Sequence, residues 1–373
     1  VYNKTDKKSI TNETDSSGGV RTIEESDIQQ EVIYQNDEII VQKINDAKFK
    51  AFYVGFDLGT CRLGPFCDIL LDALVDFAYG YHCGILKTYD RRKLIEAAKS
   101  IYKIQSYQDV KWTYVDNDSV LDDSELKAED KYKKRGEFGE LILHVILRDC
   151  FYTTPLISKI FFKDTDGVTV HGFDAVHIGP ELPSMASPSL YLGESKIYYR
   201  GNGNAGKFGI QDLIDDIKSH FKCDFLKREF AVISKKRNTY PILEEYSDEN
   251  TKRDYENYLR QKEYWHTTLQ AISEGKSRFD DLLPSVTIPL ICTYQSDIFK
   301  KCPTDTHPDF TTEFEAEANS LKEKFEELLS AIEKEDGEPI KTDLNIILIL
   351  IPIPSKKDLI KMLHQKLYNQ QNA

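Results

Sequence analysis

The sequence predicts an α/β fold in which a helix is followed by three strands and a second helix, with strands and helices alternating to the end of the chain. Three observations predict it. Between 129 and 149, Phe138, Leu141, Ile142, Val145 and Ile146 recur at helical spacing and form one apolar face. Three strand-like stretches follow: LISKIFFK (156–163), VTVHGFDAVHI (168–178) and SLYLGESKIYY (189–199), the last two joined by the Pro- and Ser-rich GPELPSMASP. Beyond them, amphipathic helical patterns alternate with short apolar runs, as in a mixed sheet flanked by helices.

Taken in order, residues 1–24 are rich in Ser, Thr, Asn, Asp, Lys and Gly and nearly devoid of apolar side chains, so they are expected as a mobile tail that cannot offset its ordering entropy. EVIYQNDEIIVQKIN (31–45) and FKAFYVGF (49–56) read as strands. Apolar residues at 66, 69, 70, 73, 74, 77 and 78 predict a helix over 66–81, and 90–104 predicts a second. Residues 25–125 therefore read as an N-terminal accessory region ending in the acidic VDNDSVLDDSE (115–125), and 126–373 as the main domain. After the three strands, helices are expected at 207–220, 222–235, 250–273, 310–334 and 355–370, with strands at 286–294 and 343–351.

With 373 residues, 40% hydrophobic and 30% charged, the chain is long and apolar enough to bury a sizeable core. Its longest apolar run, around Ile346 to Ile351, falls well short of the roughly 20 residues of a membrane helix, so a cytoplasmic protein without a membrane anchor is expected. The seven cysteines lack C-x-x-C spacing; Cys61, Cys67, His82 and Cys83 form four metal ligands on paper, but buried thiols are the simpler reading. The net charge of −13 has the wrong sign for neutralising phosphates over the whole surface. Local basic clusters at Arg91 to Lys93, Lys131 to Arg135 and Lys218 to Arg237 could serve, and each also fits a solvated helix face.

Gly201, Gly206 and Lys207 spell the G-x-x-x-x-G-K of a phosphate-cradling loop. The pattern stops short. The Ser or Thr that would ligate Mg²⁺ after the lysine is Phe208, and Glu194 and Lys196 put charge into a strand that such folds keep apolar on both faces. The glycines are better read as a flexible turn, leaving Arg200 and Lys207 free to touch a nucleic-acid backbone.

The same strand offers another chemistry. Residues i and i+2 share a face, so Glu194 and Lys196 emerge side by side while Ser195 faces away. A carboxylate holding a divalent metal beside an ammonium supplies what phosphodiester hydrolysis needs, a neutralised phosphate and an activated water. E-x-K also occurs at Glu125/Lys127, Glu129/Lys131 and Glu274/Lys276, but only the copy at 194 sits in a strand-like stretch. Asp174, twenty residues earlier, is a second hard oxygen ligand that a hairpin would bring close; it also fits an inward charge protecting an edge strand. On the preceding helix, RGEFGELILH (135–144) offers Glu137 and Glu140, with Glu140 nearer the apolar face; a solvated helix face is the alternative. Gly136 and Gly139 lower helix propensity by about 1 kcal/mol each, which makes sense if backbone or substrate approaches closely.

Glu140 on a helix, Asp174 on a strand and Glu194-x-Lys196 on the next resemble the PD-(D/E)XK nucleases, with their restriction-endonuclease-like αβββα core. More closely, R-G-E-F-G-E, H-G-F-D and L-G-E-S-K-I-Y resemble the HamA family, the nuclease subunits of the bacterial Hachiman anti-phage system. The resemblance implies a DNA nuclease using Mg²⁺ or Mn²⁺, with Asp174 and Glu194 as metal ligands, Glu140 assisting and Lys196 positioning or activating water. Phe173 stands where the superfamily often has Pro. It also implies a partner, a HamB-like ATP-driven helicase subunit that restrains the nuclease until infection or DNA damage. A docking subunit on a nuclease scaffold, without cleavage of its own, is the alternative.

Overall fold

A computed structural model of the chain describes residues 37–80, 91–101, 104, 136–158, 172–182, 187–220, 223–235, 249–335 and 344–373. The expected tail, the acidic loop 115–125 and the basic cluster Lys131 to Arg135 lie outside them, as does 159–171, which holds parts of two expected strands.

The strands are β1 (Ile40–Asn45), β2 (Phe49–Val54), β3 (Phe56–Asp57), β4 (Thr60–Cys61), β5 (Thr154–Ile157), β6 (Ala175–Pro180), β7 (Pro188–Tyr198), β8 (Val286–Gln295) and β9 (Asn345–Ile353). Seven of them form one mixed sheet in the order β1-β2-β9-β8-β7-β6-β5, while β3 and β4 make a small separate hairpin. From β2 through β9 and β8 to β7 the neighbours run parallel; β1 closes one edge antiparallel, and β7-β6-β5 is an antiparallel meander at the other. Nine of the ten residues of β8 are buried, and so are the last seven of β9. Strands covered on both faces need no polar alternation, which is why both read as continuous apolar runs.

Helices α1 (Leu63–Asp72), α2 (Leu74–Tyr79), α3 (Arg91–Ile101), α4 (Gly136–Phe151), α5 (Ala205–His220), α6 (Cys223–Lys235), α7 (Glu249–Ser273), α8 (Phe310–Glu335) and α9 (Lys356–Gln371) cover the two faces. Tyr191, Ile197, Ile291, Ile347 and Ile349 pack with the apolar stripes of α1 to α4 and α9. Leu190, Leu192, Leu290, Leu348 and Leu350 pack with those of α5 to α8. The result is an α/β sandwich of three layers with the strand alternation of β7 deciding which residue meets which layer.

Two differences from the sequence reading have physical reasons. The helix expected over 66–81 is α1 and α2, broken at Ala73, whose φ of −81° and ψ of −2° turn the chain. So small a break leaves the apolar spacing intact, and the sequence pattern does not register it. The segment read as an accessory region contributes β1 and β2 to the main sheet, where Phe49 to Ala51 pair with Leu348 to Leu350 of β9.

A buried polar chain ties this segment to the rest. Asp76 of α2 accepts from His144 Nε2 at 2.7 Å and from Arg148 Nη1 at 3.1 Å, both on α4. His144 Nδ1 lies 3.2 Å from His177 Nε2 on β6, and His177 Nδ1 lies 2.9 Å from Thr153 Oγ1. One assignment satisfies every contact: Thr153 donates to His177, His177 to His144 and His144 to Asp76. Burial opposes the charge on Asp76, but Arg148 and His144 outweigh it and hold the carboxyl below its usual value. Burial, reinforced by His144, pushes the His177 imidazole well below its ordinary value.

Removing the carboxylate strands the Arg148 charge in the core, so Asp76→Ala should destabilise the protein by about 3–5 kcal/mol in urea unfolding. For His177 the sign follows from linkage. The folded imidazole stays neutral while the unfolded one takes up a proton below about pH 6.5, so this contribution is full above that pH and declines as pH falls through it. The melting temperature should therefore drop from pH 7 to pH 5, and His177→Gln should flatten that slope.

Candidate active site

The site is built on the pairing of β6 with β7. Their register sets Ala175 opposite Gly193, which brings Asp174, the residue before β6, opposite Glu194. The Asp174 N–H donates to the Gly193 carbonyl at 2.9 Å, and its Oδ2 accepts from both the Ser195 N–H at 2.9 Å and the Ser195 hydroxyl at 2.7 Å. Ser195 does point to the opposite face from Glu194 and Lys196, as expected, yet it holds Asp174. It is a positioning residue that sequence reasoning set aside.

Glu194 is 6% exposed. Burial raises its pKa well above the usual carboxylate range, and the neighbouring Asp174 and Asp216 add to the effect while Lys196 opposes it. Lys196 Nζ donates to Asp216 Oδ2 on α5. Burial disfavours that ammonium, but the Asp216 bond and the charges of Asp216, Asp174 and Glu194 outweigh it and raise its pKa. Asp216 was not foreseen. Its only trace in the sequence is its place on the helix that follows the strand, and no spacing rule marks it.

Glu140 sits half-buried on α4, one residue past Gly139. A Cβ on Gly139 would lie 2.9 Å from Ser195 Oγ and 3.4 Å from Ile197 Cγ1, so glycine here lets α4 press on the site strand. At the end of β7, the Ile197 carbonyl accepts a hydrogen bond at 3.0 Å from the ammonium of Lys356, a buried residue of α9. Asp174, Glu194 and Lys196 are thus brought together. Glu140 does not complete a three-carboxylate cluster with them: among the described residues, no group of three or more His, Cys, Asp or Glu side chains is arranged to hold a metal ion.

Two protein carboxylates still match Mg²⁺, which keeps several waters and takes further contacts from substrate phosphate. Asp174 and Glu194 are hard oxygen donors close enough for one to raise the other's pKa, and that pair fits such an ion.

Arg200 and Lys207 lie beyond the site strand. Gly203, at φ +75°, turns the chain between β7 and α5, and a Cβ on Gly206 would meet Leu321 Cδ1 of α8 at 2.7 Å. The G-x-x-x-x-G-K pattern is therefore accounted for by a tight turn and close helix packing. Arg200 stacks on Phe208, its guanidinium carbon 4.1 Å from the ring centroid.

A mixed sheet between two helical layers, with an acidic pair and a lysine on adjoining strands, defines an α/β protein with a nuclease-like core. The HamA family model matches residues 27–367, nearly the whole chain, and the chain belongs to the HamA family. Membership makes it a component of Hachiman anti-phage defence. A comparison with curated proteins gave no match.

The two glycines of α4 should separate by substitution. Gly139→Ala forces Ser195 aside and should lower stability by about 1–3 kcal/mol. Gly136→Ala meets nothing within 4 Å and should raise it by up to about 1 kcal/mol, both read from urea unfolding.

Proposed function

We propose that the chain is a metal-dependent DNA nuclease, the cytoplasmic effector of a complex with an ATP-driven helicase subunit. The observation that carries this reading is the meeting of Asp174, just before β6, with Glu194 and Lys196 on the paired strand β7, where the Asp174 charge helps raise the pKa of both. Asp174 and Glu194 would hold Mg²⁺ or Mn²⁺. Such an ion, when bound, supplies charge neutralisation at the scissile phosphate and lowers the pKa of a water.

The chain's own groups do the rest. Ser195 fixes the Asp174 carboxylate through two donors, so its orientation is set before substrate arrives. Lys196, kept protonated by its acidic neighbours, offers an ammonium to the phosphate oxygens and steadies charge that develops as the water oxygen bonds to phosphorus and the P–O bond to the sugar breaks. Asp216 anchors that amine from α5. Glu140, half-buried on α4, is the candidate for assisting from the helix side. The charge of −13 suits a subunit whose DNA affinity comes largely from its partner.

The ion pair that engages Lys196 favours a second reading, a docking subunit on a nuclease scaffold that does not cut. Plasmid incubated with Mg²⁺ and the full chain, alone and with the helicase subunit, separates the two. The nuclease reading expects cleavage that EDTA abolishes and that Lys196→Ala or Glu194→Gln lowers by at least about 100-fold. Intact plasmid in both settings would leave the docking reading.

A further inference from the structure

Beyond the acidic pair and Lys196, β7 leads to a second chemically distinct surface. Four residues past Lys196, the Arg200 guanidinium lies over the Phe208 ring, and its Nη2 donates to Tyr198 Oη at 3.2 Å. Phe208 is 39% exposed, an unusual place for a phenylalanine beside a charged group, and Lys207 next to it is exposed as well. Neither Arg200 nor Lys207 has an ion-pair partner among the described residues. The first turn of α5 carries no acid, whereas Asp212, Asp215 and Asp216 follow further along the same helix.

This combination selects its ligand. Few cations and many nearby acids make a poor grip for a duplex held through its phosphates, where each neutralised phosphate contributes. An exposed ring braced by a guanidinium is instead the chemistry on which an unpaired base stacks, with a neighbouring cation for its phosphate. A base inside a duplex has no free face to offer. We propose that Arg200, Lys207 and Phe208 bind an unpaired nucleobase of single-stranded DNA together with its adjoining phosphate. On the nuclease reading, on which this consequence rests, the strand reaches Lys196 already unpaired. The four residues from Lys196 to Arg200 span roughly 13 Å at strand rise, about four nucleotides of a stacked strand.

The test is fluorescence anisotropy with the full chain in EDTA, where no metal-dependent cleavage intervenes. The probes are a labelled 20-nucleotide oligothymidylate, an abasic strand of equal length and a 20-base-pair duplex. The expected order has oligothymidylate tightest. Phe208→Ala should weaken it by about 5- to 150-fold, leave the abasic strand unchanged, and be rescued by Phe208→Trp. Equal affinity for thymidylate and abasic strands, no change in Phe208→Ala, or no binding of oligothymidylate overturns the proposal. Base-dependent binding by a chain that never cuts would sink the nuclease reading alone, and cutting with unaltered binding in Phe208→Ala would sink this one alone.

Discussion

The antiparallel register between β6 and β7 is the constraint on which the site depends. Side chains alternate between faces along a strand, so a slip of one residue would send Glu194 and Lys196 to the α4 side and Ser195 to the α5 side. This register is what sets Asp174 opposite Glu194. The register is over-determined because β7 is buried on both faces, with Leu192 on one side and Tyr191 and Ile197 on the other. Ser195 then adds a lock of its own, since its two donors reach Asp174 only in this register.

The pairing creates an electrostatic imbalance that packing sustains. Asp174, Glu194 and Asp216 act on the Lys196 ammonium, and of the four residues Glu194 is the buried one. Burial, with the like charges of Asp174 and Asp216 added to it, raises the pKa of Glu194. A further positive charge beside the pair would oppose that rise and favour the ionised carboxylate. The surrounding structure keeps the groups from relaxing apart: α4 closes on Ser195 through Gly139, and α9 grips the end of β7 through Lys356. Structures that tolerate a local conflict of this kind hold it with rigid neighbours.

What the sequence reveals follows from which contacts are local. VTIPLICTY and the run ending in Ile353 are legible as buried strands because central parallel strands are apolar on both faces. Asp174 and Glu194-x-Lys196 are legible because a hairpin joins them, and charge inside an apolar strand stands out. Asp216 is not, since its meeting with Lys196 depends on how α5 returns over the sheet. Ser195 is misjudged for a related reason: face alternation says where a side chain points, not what a neighbouring strand's end can reach. The pairing of β2 with β9 joins residues some 300 apart in sequence, as in Phe49 with Leu348, and leaves no local mark at all.

That long-range pairing changes the physical status of the N-terminal segment. Its strands extend the sheet that carries the site, and Asp76 reaches into the core to Arg148 and His144, with His177 of β6 next in line, three residues beyond Asp174. Moving α2 away from α4 would expose or orphan a buried charge pair, at about 3–5 kcal/mol, a large share of a typical domain's stability. A force applied to α1 or α2 is therefore borne by α4, which itself presses on Ser195. On the proposed reading, a partner that docks on this segment acts on a body continuous with the site rather than on an appended arm, and restraint of the nuclease needs no separate hinge.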